Sequence, residues 1–404
     1  MEHESGDGFL LITLGVILMG VPAVKNFCRR LGIPTSVGFI FLGLAIGAIL
    51  RPVAGLSSPV FNGALSVLAQ LSVVALLFRV GLRSHTSALL EKLPDASLIW
   101  IGNALGAAAV GFVVAFYGLG WSVETSLVVG TAFSATSIAV SLSVWDELGL
   151  ADSDTGATLL DVAELDDLSA AVLLAVLIGT LPALMNGHDD LWVTAGISTV
   201  WILAKLAVFI VGCYLFAHYF EKGFTSFNRR MSDSPASLTL SILGAGLAIA
   251  AITDSLGFSV AVGALFAGLA FSRDPEAVRN DGNFSYVYEF LAPFFFIQIG
   301  IQTEFAVLMG AWEVGLLLLV AAALSKIVFT YLPAIRTMSS QDAMNLSVSM
   351  VPRAEIALVV VYEARLIDPR IVPPEVFAGM VVVSIGTSIL SPVVLRRMLA
   401  ERAA

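Results

Sequence analysis

Charged residues are scarce in this sequence: 13% of its 404 residues are Asp, Glu, Lys or Arg, about half of the usual share in a soluble protein. Cysteine occurs only as Cys28 and Cys213, whose separation gives no metal-binding spacing. The opening residues MEHESGDG lack the basic stretch of a signal peptide. The sequence has no cluster of Lys and Arg that would indicate binding to nucleic acid. These absences disfavour a soluble protein, a cleaved leader and a nucleic-acid partner, and no motif indicates a cofactor.

Apolar residues take the place of the missing charge: 58% of the residues are hydrophobic and the mean hydropathy is +0.92. They come in runs of about 20 residues, long enough to cross a hydrocarbon core about 30 Å thick. The pattern predicts an all-α polytopic membrane protein with about thirteen transmembrane helices. The predicted segments lie near residues 8–25, 35–50, 61–82, 96–118, 123–145, 155–182, 192–218, 235–253, 258–272, 283–301, 307–332, 342–365 and 373–395.

Lys and Arg collect in alternate loops. Lys25, Arg29 and Arg30 follow the first segment, Arg396 and Arg397 follow the last, and the opposite loops are nearly free of positive charge. Since cytoplasmic loops carry the excess of Lys and Arg, we expect an inner (plasma) membrane protein with its N-terminus outside and its C-terminus in the cytoplasm. Residues 1–404 read as a single transporter unit without a soluble C-terminal regulatory domain.

Two segments look interrupted: the fifth by TAFSATSIAVSLS and the twelfth by the proline in SVSMVPRAEIALVV. Proline removes a backbone donor and disfavours helix at the preceding residue. A broken membrane helix persists where its backbone is buried in protein or lines a cavity, and matching breaks in two halves mark transporter sites. The breaks are seven segments apart, which predicts an inverted repeat of segments 2–6 and 9–13. The residues of interest there are Ser134, Thr136, Ser137, Pro352, Arg353 and Glu355.

Four carboxylates interrupt the apolar run LLDVAELDDLSAAVLL in the sixth segment, namely Asp161, Glu164, Asp166 and Asp167. Asp166 lies twelve residues after Asp154, roughly 18 Å into the membrane at 1.5 Å per residue. Adjacent residues differ by 100° around a helix, so Asp166 and Asp167 should meet different surroundings. Paired carboxyls can carry protons or hold a hard cation through oxygen ligands. The pair predicts a site shared by H⁺ and a monovalent cation, and the nearby Ser and Thr oxygens could complete it.

Basic residues inside the apolar segments are candidate partners of these acids. Lys326, in the middle of the eleventh segment, could form a breakable ion pair with Asp166 or Asp167, or a permanent packing pair. Arg353 stays charged and suits a structural role; it could pair with Glu355 or across the break. Asp161 and Glu164 could form an acidic funnel or simply line a solvated wall.

Five stretches, in order, resemble a known family: AFSATSIAVSLSVWDELG, DVAELDDLSA, LGFSVAVGALFAGL, FFFIQIG and MVPRAEIALV. They are similar to motifs of the monovalent cation:proton antiporter superfamily, in the branch with electrogenic bacterial sodium/proton antiporters and Kef-type exchangers. The resemblance implies crossed broken helices, a homodimer, an Asp166–Asp167 pair with Na⁺ at Asp167, and Lys326 beside Asp166. It also implies a dimerisation part, mainly 8–60 and 192–300, and an ion-transport core, mainly 61–182 and 305–395.

The sequence also departs from the family pattern. The acid of a usual FxxGLE motif is Arg83, a usual glutamate is Phe39, and Ala354 replaces the glycine of PRGE. The resulting expectation is secondary active Na⁺(Li⁺)/H⁺ antiport, electrogenic and serving pH homeostasis. The alternatives are K⁺/H⁺ antiport on the same fold, an ion channel, or an organic-anion symporter. An intramembrane aspartyl protease is disfavoured because its aspartates should come from different helices, so we do not expect an enzyme.

Overall fold

The computed structural model describes residues 2–50, 59–84, 86–185, 191–231, 234–272 and 281–403, and the regular structure within these ranges is helical. Single π-helical turns lie at Val114–Gly118 and Phe216–Phe220. The α-helices are α1 Glu2–Leu31, α2 Thr35–Leu50, α3 Pro59–Arg83, α4 Thr86–Val113, α5 Val123–Ser134, α6 Ala139–Glu147, α7 Asp154–Met185, α8 Leu191–Leu215, α9 Glu221–Met231, α10 Pro235–Ser255, α11 Val260–Phe271, α12 Asp281–Gln302, α13 Phe305–Gly310, α14 Trp312–Ala334, α15 Ser340–Ser349, α16 Glu355–Ile367 and α17 Pro374–Ala403.

The helices make this a protein of many membrane spans, as the apolar runs predicted. Ten spans among the described residues are long and apolar enough to cross a bilayer, and Thr35–Ile49 and Val260–Phe271 are shorter apolar helices. A helix lies at each predicted segment. The all-α fold class is therefore confirmed, whereas a count of thirteen spans stays a prediction.

Both predicted interruptions are present. After α5 the chain turns extended at Ala135, with φ −67° and ψ 146°, and α6 begins only at Ala139. The second break lies between α15 and α16, where Pro352 cannot continue the helical ladder. The two breaks touch: the Ser137 amide donates to the Pro352 carbonyl over 2.8 Å. Backbone groups freed by one break are thus partly satisfied by the other.

The helices fall into two compact units. The first comprises Met1–Val67, Leu89–Ala170 and Phe296–Ala404, and it contains both broken helix pairs. The second comprises Leu68–Ala88 and Ala171–Phe295, and within it α10 packs along α11. The predicted division into a dimerisation part and an ion-transport core stays a prediction.

The first unit has an apolar core next to the broken helices. Trp145 of α6 is fully buried, and its indole nitrogen donates to the Ser349 hydroxyl at the end of α15 over 2.9 Å. Around it pack apolar side chains from α4, α7, α15 and α17, among them Ile99, Leu159, Leu346 and Leu395. This core fixes the half-helices that carry the breaks.

Glycines let α4 approach α14 closely within the same unit. A Cβ atom added at Gly106 would lie 2.7 Å from the Cβ of Phe329, and one at Gly102 would lie 2.8 Å from the Phe329 carbonyl oxygen. Both separations are too short for contacts between non-bonded atoms, so only glycine fits at these two positions between the helices. Asn103 follows Gly102 in the sequence, and Thr330 follows Phe329.

Gly106→Ala is expected to lower the free energy of unfolding by about 1–3 kcal/mol, because the added methyl forces the two helices apart. Gly63→Ala is the matched control, since nothing lies within 4 Å of a Cβ at Gly63. Unfolding of both variants in mixed micelles measures the difference. Equal stability of the two variants would contradict the close approach.

Candidate ion-binding site

Asp166 lies at the centre of a buried polar cluster in the first unit. The side chains of Asp166 and Lys326 are both 0% exposed, and the Lys326 ammonium nitrogen lies 3.2 Å from Oδ2 of Asp166. The same ammonium donates to the Ser134 carbonyl oxygen over 2.6 Å. Lys326 therefore joins the acidic helix α7 to the broken end of α5.

The second oxygen of Asp166 is also occupied. The Asn103 side-chain amide donates to Oδ1 of Asp166 over 2.8 Å, and the Thr330 hydroxyl donates to Oδ1 of Asn103 over 3.0 Å. Asn103 and Thr330 are both fully buried. Neither was predicted as a site residue. The available signal was Asn103 itself, a lone amide in the apolar run LIWIGNALGAAAV.

Asp167 has different surroundings from Asp166. It is only partly buried, and among the described residues it accepts no hydrogen bond of the kind that holds Asp166. Helical spacing predicted this contrast, because consecutive side chains leave a helix 100° apart. Of the two carboxylates, Asp167 is the one with oxygen atoms available to a ligand.

Arg353 bridges the two breaks through hydrogen bonds to backbone carbonyls on both broken segments. Its guanidinium donates to the Phe133 carbonyl from Nη2 over 2.9 Å and from Nε over 3.2 Å, and to the Val351 carbonyl over 3.1 Å. Phe133 lies in the last turn of α5, whose unpaired carbonyls form the negative end of the helix dipole. Arg353 and Lys326 together place two positive charges at that end.

Glu355 places a carboxylate at the start of a half-helix, whereas Arg353 and Lys326 place positive charges at the end of one. It is the first residue of α16, and its Oε2 accepts from the Ser137 hydroxyl over 2.5 Å, just before α6 begins. A carboxylate is favourable near helix N-termini. Glu355 and Arg353 form no ion pair with each other in the described part of the chain. Of the two arrangements that the sequence left open, these contacts lie across the break: Arg353 contacts Phe133 and Glu355 contacts Ser137.

The remaining predicted residues lie near this cluster with less direct contacts. The Ser134 hydroxyl donates to the Thr131 carbonyl, and the Thr136 hydroxyl donates to the Met350 carbonyl over 3.5 Å. Asp161 and Glu164 are partly buried on α7, and each interacts with other groups. The roles of hydroxyl ligands and of an acidic funnel stay predictions.

Comparison with known proteins gives the family. The model of a family described as sodium/hydrogen exchanger, transmembrane, matches residues 14–401. The chain belongs to this family. It is 22% identical over 387 residues to a Na⁺/H⁺ antiporter of Enterococcus hirae, covering 95% of this chain and 96% of that protein. It is 24% identical to the high-affinity Na⁺/H⁺ antiporter NhaS3 of a Synechocystis strain, covering 96% and 89%.

Another relative is named as a potassium-efflux protein, and a protein of solved structure shares the fold. A glutathione-regulated potassium-efflux system protein of Haemophilus influenzae is 24% identical, covering 97% of this chain and 62% of that protein. The structure of the sodium proton antiporter MjNhaP1 from Methanocaldococcus jannaschii matches with a TM-score of 0.72 at 18% identity, covering 100% and 99%. The fold of this exchanger-family chain is therefore the antiporter fold.

Proposed function

We propose that this exchanger-family chain is a secondary active antiporter that exchanges Na⁺ or Li⁺ for H⁺ across the inner membrane. The observation that carries the proposal is the unequal pair on α7, where Asp166 is held by Lys326 and Asn103 while Asp167 is partly exposed. High-coverage relatives named Na⁺/H⁺ antiporters support sodium as the cation.

In this proposal Asp167 is the first ligand of the cation. Hard cations prefer carboxylate, carbonyl and hydroxyl oxygens, and Ser134, Thr136 and Ser137 bring such oxygens to the neighbouring break. Asp166 can join the site only when Lys326 leaves its Oδ2. Protons compete with the cation because both need the same carboxylate oxygens.

The wider assignments belong to the same proposal. The N-terminus lies outside and the C-terminus in the cytoplasm, and the functional unit is a homodimer whose core carries the site from one side of the membrane to the other. Asp161 and Glu164 attract cations to the cytoplasmic mouth. The protein acts in pH homeostasis as a transporter and not as an enzyme.

Proton flux in proteoliposomes, reported by a dye after addition of Na⁺, Li⁺ or K⁺, tests the function. We expect Na⁺ and Li⁺ to drive flux, and Asp167→Asn to abolish it by removing the charged ligand. Asp154→Asn is the matched control, because this exposed acid begins the same helix far from the pair. Flux in Asp167→Asn at the wild-type rate would contradict the site, and no flux with any ion would contradict the function.

Potassium is the second candidate cation, favoured by the relative named as a potassium-efflux protein. A response to K⁺ alone in the same assay would select it. Electrogenic exchange adds a separate expectation: an imposed membrane potential should change the Na⁺-driven rate. An electroneutral exchanger would not respond.

A further inference from the structure

The helix α9 lies in the chain between two membrane spans of the second unit. The span Thr199–Phe220 leads into α9 through the π-helical turn, and the span Ser237–Ser255 follows it. Tyr214 and Tyr219, at the end of the first of these spans, are 57% and 69% exposed. Exposed tyrosines at the end of a membrane helix collect at the level of the lipid headgroups. The chain therefore enters α9 at the surface of the bilayer.

One face of α9 is covered by the second unit, and this face is largely polar. The Glu221 and Thr225 side chains are 1% and 5% exposed, and the Thr225 hydroxyl donates to a carboxylate oxygen of Glu221 over 3.0 Å. On the same side of the helix, the Phe224 ring lies 5.9 Å from the ring of Phe271 in α11. The spacing of three and four residues places Glu221, Phe224 and Thr225 together. The protein thus covers the acid of α9 and one of its aromatic rings.

The larger apolar side chains of α9 lie on a different, exposed side. Phe227 is 62% exposed and Met231, one turn later, is 72% exposed. Phe220, which ends the π-helical turn two helical turns before Phe227, is 66% exposed and extends the same stripe. An apolar stripe that starts at headgroup level and faces away from the protein is suited to the boundary between headgroups and acyl chains.

Basic residues accompany the apolar stripe. The sequence of α9 contains Lys222, Arg229 and Arg230, and its one acid is the buried Glu221. Arg230 is exposed, and at 100° per residue it lies about 60° from Phe227 around the helix. The whole chain has a net charge of −10, so this local positive charge is not general to its surface. A basic helix with an apolar stripe complements anionic lipid headgroups.

We infer that α9 is a membrane-surface helix that binds anionic phospholipids. Phe227 and Met231 insert among the acyl chains, and the basic residues of the helix meet the phosphate groups. Each basic residue near an anionic surface strengthens attachment about fivefold. The apolar stripe adds attachment that does not depend on the charge of the lipid. This binding uses neither the α7 carboxylates nor a cation gradient, so it is independent of the proposed ion exchange.

Hydrogen–deuterium exchange of the full chain tests the inference. The chain is placed in nanodiscs of phosphatidylcholine alone or of phosphatidylcholine with phosphatidylglycerol, and exchange is measured for the peptides that cover Glu221–Met231. We expect slower exchange of α9 in the anionic nanodiscs. The double variant Arg229→Gln, Arg230→Gln should exchange up to about 30-fold faster than the wild type there, the product of two fivefold losses. In neutral nanodiscs the two proteins should exchange at the same rate.

Two further variants separate local charge from total charge and from apolar insertion. Arg29→Gln with Arg30→Gln removes an equal charge from the exposed end of α1 and should leave the exchange of α9 unchanged. Phe227→Ser should speed exchange of α9 in both kinds of nanodisc, because the apolar contact is lost whatever the headgroup. Exchange of α9 at the wild-type rate in Phe227→Ser would reject the insertion.

The wild-type comparison of the two lipids decides the matter if a variant does not fold. Equal exchange of α9 in neutral and anionic nanodiscs, or the same effect from both arginine pairs, would overturn the inference. Soluble glycerol phosphate supplies the charge of the headgroup without acyl chains. If it slows exchange of α9 in neutral nanodiscs as much as phosphatidylglycerol does, the helix binds free phosphate and the lipid assignment is rejected. Added salt should reduce the difference between the lipids, since it screens exposed charges.

Discussion

Lys326→Met is expected to lower the free energy of unfolding by about 3–5 kcal/mol, because it leaves the Asp166 carboxylate buried without a countercharge. Both side chains are 0% exposed and lie 3.2 Å apart. Asp166→Asn should cost a similar amount, since it leaves the ammonium held only by the Ser134 carbonyl. The double variant removes both charges and should recover most of the loss, because replacing a whole buried pair is often close to neutral.

Unfolding of the two single variants and the double variant in mixed micelles gives the coupling free energy of the pair. Additive losses in the double variant would mean that the two side chains do not interact. All three variants should lose cation-driven proton flux. Flux therefore cannot report the coupling, and the free energy of unfolding is measured separately.

The sequence was sufficient to locate the breaks and the acidic pair, because both leave local signals. Pro352 cannot continue a helix wherever the surrounding chain folds. Adjacent aspartates must diverge by 100° on a helix, and Asp166 is buried while Asp167 is partly exposed. Lys326 was identified because a lysine in the middle of an apolar segment needs a partner.

The partners of the polar residues could not be read in the same way. Asn103 and Thr330 are single polar residues in apolar helices, and which oxygen atoms they contact depends on how α4, α7 and α14 pack. That packing in turn depends on small residues such as Gly106, which carry no chemical signal of their own. The sequence left the partner of Arg353 open between Glu355 and a group across the break, because carbonyls at helix ends compete with a nearby carboxylate for the guanidinium.

Arg353 is expected to be as important to the fold as the Lys326–Asp166 pair. Its side chain is fully buried, and its fork reaches the carbonyls of Phe133 and Val351 on the two broken segments at once. Its guanidinium carbon also lies 5.0 Å from the centre of the Phe133 ring. Arg353→Met would leave both carbonyls without these donors and should cost about 2–6 kcal/mol, since each of the two unpaired buried groups costs about 1–3 kcal/mol.

Arg353→Lys keeps the positive charge but removes the planar guanidinium group. A lysine keeps the positive charge near the end of α5 but is a single point of contact, whereas the guanidinium donates in several fixed directions. We therefore expect Arg353→Lys to lie between Arg353→Met and the wild type in free energy of unfolding. Arg336→Met, at an exposed arginine after α14, is the matched control and should change little.

The ranking of these variants distinguishes two roles for the arginine. If charge alone stabilises the crossing, Arg353→Lys will be as stable as the wild type and will still exchange ions. If the fork is required, Arg353→Lys will lose both stability and exchange, because Ser134 and Phe133 are consecutive residues whose carbonyls contact Lys326 and Arg353 respectively. Movement of the α5 end would then displace Lys326 from Asp166, which couples the structural arginine to the ion site.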